Sequence, residues 1–407
     1  MDDRWLKPPL FRRADGSAVH RQATWLELFF DLVFVVAVAG LAGLLRDDLS
    51  ATGLGWFAFL LFPMWWLWMD FSYYADQFDS DDVVYRLALL AVMAGILSVS
   101  RVASEIVEGG AGWGAFVFAG MYGVLCGLYV RAYRANPELR PLTGRYAVAM
   151  AVAGGLYLAS AVVPAPGRFG LWLAAVAVPM VNSPVAYYQV PGLPSQLSHM
   201  PERFGLFTII ALGESVVAVA QGIAETPSTP AVLAASGAGF ALAAALWWTY
   251  FIRDDASALS AELEGGRSDL LRSHVYGYAH YGVYAGVVAA GVGVEEAILA
   301  VGGEHAFVPA ARWTLAGGTA VALAAMAAIH WASPHGLPGR SLALRLAVAA
   351  VLAGLAVGNV GASVALAVSA GLMVALAAVE TAALPHPSSL PNEAAAEDAS
   401  RSGSARP

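Results

Sequence analysis

Ionisable side chains standing inside long apolar runs mark where this chain could do chemistry, because such groups are costly in lipid and normally face protein, a partner or water. Glu27 and Asp31 lie four residues apart in Trp25-Leu26-Glu27-Leu28-Phe29-Phe30-Asp31, so a helix projects both from one face. Two close carboxylates disfavour joint ionisation, which suits proton or cation exchange; alternatively they anchor the helix to an arginine such as Arg86 or Arg203. Asp70 sits deep at the end of the next apolar run. Arg203 and Glu214 are eleven residues apart, three helical turns, and so share a face about 16 Å apart. That spacing places Glu214 near the membrane middle with no local charge partner, while Gly213 and Ser215 offer room for close helix packing. His280 shares a face with Tyr284 and could trade protons with a carboxylate such as Glu214. A neutral hydrogen-bond donor in an aromatic seam is the alternative.

A second group suits positioning or gating. Asp79 and Asp82 belong to an acidic turn followed by Arg86; acid at the start of a helix caps its dipole. Arg101 and Glu105 have the spacing of an intrahelical ion pair. Glu202 follows Pro201 in the first turn of the helix that carries Arg203. No catalytic set, metal site or cofactor is expected. The histidines lack the HExxH spacing of a zinc protease, and no phosphate loop or dinucleotide fingerprint occurs. The single cysteine, Cys126, excludes an internal disulfide.

The elements that must position these groups are membrane helices. Of 407 residues, 58% are hydrophobic and only 13% charged, about half the charged fraction of an average soluble domain. Mean hydropathy is +0.63. A net charge of -8 argues against nucleic acid as a partner. Continuous apolar runs of about 20 residues fit membrane-spanning helices rather than alternating barrel strands. Twelve candidates follow, at roughly 25–45, 54–74, 84–104, 113–133, 143–163, 169–189, 203–223, 230–251, 274–298, 311–331, 342–358 and 361–382. The last two are the weakest pair, separated only by Gly358, Asn359 and Gly361. With the N-terminus in the cytoplasm, 18 of the 22 basic residues fall inside, all but Arg46, Arg101, Arg168 and Arg312. Such enrichment sets orientation and puts both ends in the cytoplasm.

The fold class read from these patterns is all-α and polytopic. A cytoplasmic segment 1–22 precedes a transmembrane domain 23–384, and a disordered cytoplasmic tail 385–407, rich in Pro, Ser, Ala and Glu, follows. A faint repeat divides that domain. Phe34-Val35-Val36-Ala37-Val38-Ala39 resembles Ser215-Val216-Val217-Ala218-Val219-Ala220, and Trp65-Trp66 resembles Trp247-Trp248. A duplication would give parallel halves 23–200 and 201–384 of six spans each, as in some secondary transporters.

Several of these segments resemble the bacterial low temperature requirement protein A (LtrA) family over most of residues 20–382. The likeness is carried by residues 26–34, by the acidic turn Phe78-Asp79-Ser80-Asp81-Asp82 with Arg86, by Glu202-Arg203-Phe204-Gly205-Leu206-Phe207 through Leu212-Gly213-Glu214-Ser215, and by Tyr278-Ala279-His280 with Gly286. It implies a multi-span protein of the bacterial inner membrane and brings motif positions, not a reaction. Tyr281-Gly282-Val283-Tyr284 is more aromatic than the family pattern. From the residues themselves the leading expectation is a permease for a small solute or ion, with or without proton coupling, surrounded by membrane lipids. Glu27, Asp31, Asp70, Arg203, Glu214 and His280 would line its pathway. A non-transporting sensor or scaffold, and an intramembrane lipid-modifying enzyme, are the alternatives.

Overall fold

The computed structural model describes residues 5, 7–11, 24–107, 112–189, 200–252, 267–333 and 337–383. The expected tail 385–407 and much of segment 1–22 lie outside them. In chain order the helices are α1 (Trp25–Asp47), α2 (Ala51–Gln77), α3 (Val83–Leu97), α4 (Val99–Val107), α5 (Gly112–Ala135), α6 (Arg140–Ser160), α7 (Gly167–Gln189), α8 (Met200–Ala224), α9 (Pro230–Phe251), α10 (Arg267–Gly302), α11 (Pro309–Ala332), α12 (Gly339–Val357) and α13 (Ala362–Ala382). Two short strands, β1 (Leu10–Phe11) and β2 (Phe78–Asp79), pair antiparallel.

Eleven of these helices are long and apolar enough to cross a membrane. The expected third span is instead broken at Ser98 into α3, 15 residues long, and α4, 9 residues long. The two weakest candidates are separate helices, α12 and α13. Helix starts follow local chemistry. Thr24 and Glu27 form a capping box, each side chain bonded to the other's backbone N–H. Ser50, Asp82 and Thr229 cap α2, α3 and α9.

The surface is inverted relative to a soluble protein. Leu32, Val36, Leu87, Val148, Val351 and Val364 face outward, while Asp31, Arg203, Glu295 and Arg345 are buried. Lipid accepts the first set, and only protein partners can accept the second.

Helix α10 runs through the middle, buried on all sides from Gly286 to Leu299. Its glycines make that possible. A Cβ on Gly286 or Gly293 would strike the backbone of α11, and one on Gly291 would strike Ser215 of α8. Gly213, by contrast, has open space around it and faces outward, so it plays no part in packing. Ser215 does, through a hydrogen bond from its hydroxyl to Val287 O (3.1 Å).

Neighbour relations recur in the two halves of the chain. In the first, α1 packs on α2 and α3, α3 on α5, α5 on α6, α6 on α7, and α7 on α2. In the second, α8 packs on α9 and α10, α10 on α11, α11 on α12, α12 on α13, and α13 on α9. The seam between the halves is built by α1 and α2 against α8 and α10.

Gly293→Val would drive a side chain into the backbone of Leu315, which cannot yield. Overpacking of this kind costs about 1–3 kcal/mol or more. Thermal unfolding in detergent should show a marked loss of stability or failure to accumulate, whereas Gly213→Ala should unfold like the parent.

Candidate functional site

At one end of the seam, Asp31 of α1 meets Arg203 of α8. Asp31 Oδ1 accepts from Arg203 Nη2 (2.8 Å) and from Trp68 Nε1 of α2 (2.7 Å). The guanidinium also lies 5.7 Å from the Trp68 ring centroid. All three residues are buried, and Asp31 Oδ2 and Arg203 Nε have no hydrogen-bond partner. Glu27 adds its charge to the field on Arg203 while serving as a cap. Arg86 does not join this group; it pairs with Asp81 on the exposed surface (2.8 Å).

His280 sits beside this node, its ring stacked on Phe204 at 4.1 Å. Nδ1 faces Tyr276 O at 2.7 Å and Nε2 faces the Tyr250 hydroxyl at 2.9 Å. A carbonyl only accepts, so Nδ1 carries the proton; Nε2 then accepts from Tyr250. The imidazole is a fully buried neutral link between α9 and α10. It lies level with Phe204, ten residues from Glu214 and so about 15 Å along α8. Direct proton exchange between His280 and Glu214 is thereby excluded.

At the other end of the seam, Glu214, which has no charge partner nearby on its own helix, finds one on another helix. Arg46, in the last turn of α1, donates through Nε to Glu295 of α10 (2.8 Å) and through Nη2 to Glu214 of α8 (3.4 Å). Glu296 faces His305 at 3.3 Å. Between the two ends lies a plug of aromatic rings packed edge-on and tilted. Phe34 contacts Phe207 (5.9 Å), and Phe207 contacts Tyr284 (4.6 Å). The six pathway candidates therefore do not line one cavity. They divide between two nodes and a third position, Asp70, which lies in the first half against Tyr122 (3.2 Å).

The positioning residues fall at the periphery. Lys7 Nζ reaches Asp79 (3.2 Å), and Lys7 N–H reaches Asp82 (2.7 Å). Arg131 of α5 also bonds Asp82. Asp82 is buried, which works to raise its pKa. Hydrogen bonds from Arg131, Tyr85 N–H and Lys7 N–H outweigh that and hold the carboxyl below its usual range. Arg101 and Glu105 pair with each other (3.0 Å) on the outward side of α4, and Glu202 is exposed.

Arg46, Glu295 and Glu296 were legible as polar residues at or within apolar runs but were not among the candidates read from sequence. Arg345 of α12 and Glu380 of α13 were missed too. Arg345 bonds both carboxylate oxygens (2.6 and 2.7 Å) and Thr249 O (2.9 Å), and is fully buried. Residues 35 apart in sequence give no local signal of that pairing.

Comparison with known families settles the kinship. The family model described as bacterial low temperature requirement A protein (LtrA) matches residues 22–379. The chain belongs to the LtrA family. A relative, an uncharacterized protein of Rhizobium meliloti (strain 1021), is 25% identical over 285 residues, covering 67% of this chain and 69% of the relative. No solved structure matches. The LtrA region includes both ends of the seam and every pathway candidate.

Two measurements check this geometry. Asp31→Asn or Arg203→Met alone strands a buried charge or donor set and should cost about 3–5 kcal/mol in unfolding experiments, whereas joint replacement by apolar residues should recover most of it. Because the folded-state pKa of Asp82 is depressed, its contribution is fully present above about pH 4 and disappears as pH falls through the lower folded value. Hydrogen exchange at residues 7–11 should therefore accelerate in acid, and Asp82→Asn should accelerate it already at neutral pH.

Proposed function

We propose that this LtrA-family protein is a permease of the bacterial cytoplasmic membrane, with both termini in the cytoplasm. It moves a small solute or ion by opening and closing the seam between parallel halves, 23–200 and 201–384. The recurring neighbour relations of the two sets of helices support the duplication, and binding at the seam between repeats is the arrangement secondary transporters use.

One observation carries the reading. Arg46 of the first half is shared by two buried carboxylates of the second, Glu214 and Glu295. With both acids ionised, the node holds one more negative charge than positive, and a buried surplus charge calls for a proton or cation. Opening this end withdraws Arg46 and leaves the two acids to bind one. The other end is closed by a tie of reversed polarity, Asp31 of the first half on Arg203 of the second. Glu214 and Glu295 are thus the proton or cation carriers, Asp31 and Arg203 form the opposite gate, and His280 braces that gate.

Purified protein in liposomes under a pH or voltage gradient tests this. The wild type should move protons or an ion when supplied with a panel of small solutes. Glu214→Gln and Glu295→Gln should each cut coupled flux at least tenfold while unfolding near the parent's temperature. A wild type that moves nothing across the panel would leave these ties as the fastenings of a scaffold.

A further inference from the structure

We propose that Asp70 and the rings around it form a binding site for a small organic ammonium ion. The proposal deepens the permease reading by naming a solute class, and rests on it for the claim that this ion is cargo.

Asp70 differs from four other buried carboxylates. Asp31, Glu214, Glu295 and Glu380 each have an arginine within salt-bridge range. Among the described residues no lysine, arginine or histidine approaches Asp70 in that way. It is 6% exposed, so water does little to stabilise its charge. Its one closed hydrogen bond comes from the Tyr122 hydroxyl (3.2 Å). The Trp66 indole N–H is directed at the carboxylate without closing a bond.

What surrounds the acid is aromatic. Tyr122 stacks on Tyr157 at 5.5 Å, and Trp66 meets Tyr278 edge-on at 5.2 Å. Tyr157 and Tyr278 lie close enough to feel the charge on Asp70. The Tyr157 hydroxyl is completely buried with no hydrogen-bond partner, an orphan polar group near an acid that has no paired cation among the described residues. A carboxylate set among tryptophan and tyrosine rings, with no cation paired to it among the described residues, is chemistry that recognises ammonium groups. A hard metal cation needs about six or more oxygen ligands, far more than this group offers. An anion would find no positive side chain within salt-bridge reach of Asp70 among the described residues. Tyr278 belongs to α10, so one wall of the site comes from the second half, and parting the seam would open it.

The test uses the full-length protein in detergent, with tetramethylammonium chloride and ethylammonium chloride as probes against sodium chloride at equal ionic strength. Thermal unfolding and calorimetry should show saturable binding of at least one ammonium salt and none of sodium. Asp70→Asn should abolish it, and Trp66→Leu should weaken it at least tenfold. If Asp70→Asn does not fold, Tyr157→Phe, which keeps the ring, should still lower affinity severalfold. No saturable effect beyond sodium in the wild type, or an equal effect in Asp70→Asn, overturns the site and leaves Asp70 a protonated packing group. Binding without flux in liposomes would overturn the permease and keep the site. Flux of other solutes without ammonium binding would do the reverse.

Discussion

Charge without water governs this architecture. In the hydrocarbon region each ionised side chain must find its counter-group on another helix, and the two pairings at the α1–α8 seam decide how the bundle can be assembled. Asp31–Arg203 and Arg46–Glu214 run in opposite senses, acid to base at one end and base to acid at the other. Sliding α1 along α8 by one turn would break both at once. The register of the central helices is thus set by electrostatics, and the rings of Phe34, Phe207 and Tyr284 fill what lies between.

Packing then follows from residue size and from repair of the backbone. Small residues let α10 lie against α8 and α11 at backbone distance. Its tyrosines do a second task. Pro184 cannot donate to Met180 O, and the Tyr278 hydroxyl takes that carbonyl instead (3.0 Å). Tyr281 bonds Ala58 O (2.6 Å) in α2, the carbonyl next to Phe59 O, which is the one Pro63 leaves without a donor. The aromatic face of the ninth span, which sequence could not assign, lends its tyrosine hydroxyls to backbone carbonyls of three neighbouring helices, α7, α2 and α8.

Fold class was legible because apolar runs and caps are local. Thr24, Ser50, Asp82 and Thr229 each stand beside the helix they start. The break at Ser98 was not, since no proline marks it and the apolar residues of α3 run up to it, although α4 beyond carries Arg101 and Glu105. For the site, sequence identified Asp31, Arg203 and Glu214 from charge inside apolar runs. The partner of Glu214 was hidden by a separation of 168 residues, and Arg46 read as a loop residue that merely fixed orientation. Glu295 and Glu296 carried the same signal as Glu214 and were passed over beside the tyrosines. Only tertiary structure could show that His280 and Glu214 sit at different depths.

The pairing of β1 with β2 bears on how the chain is made. Phe11 N–H and Pro9 O both bond Asn136, with 125 residues between Phe11 and its partner. The leading segment therefore cannot dock as it leaves the ribosome. Its bonds to Asn136 must wait until α5 has been made and Asn136 has emerged, so that closing them follows synthesis of the first helices.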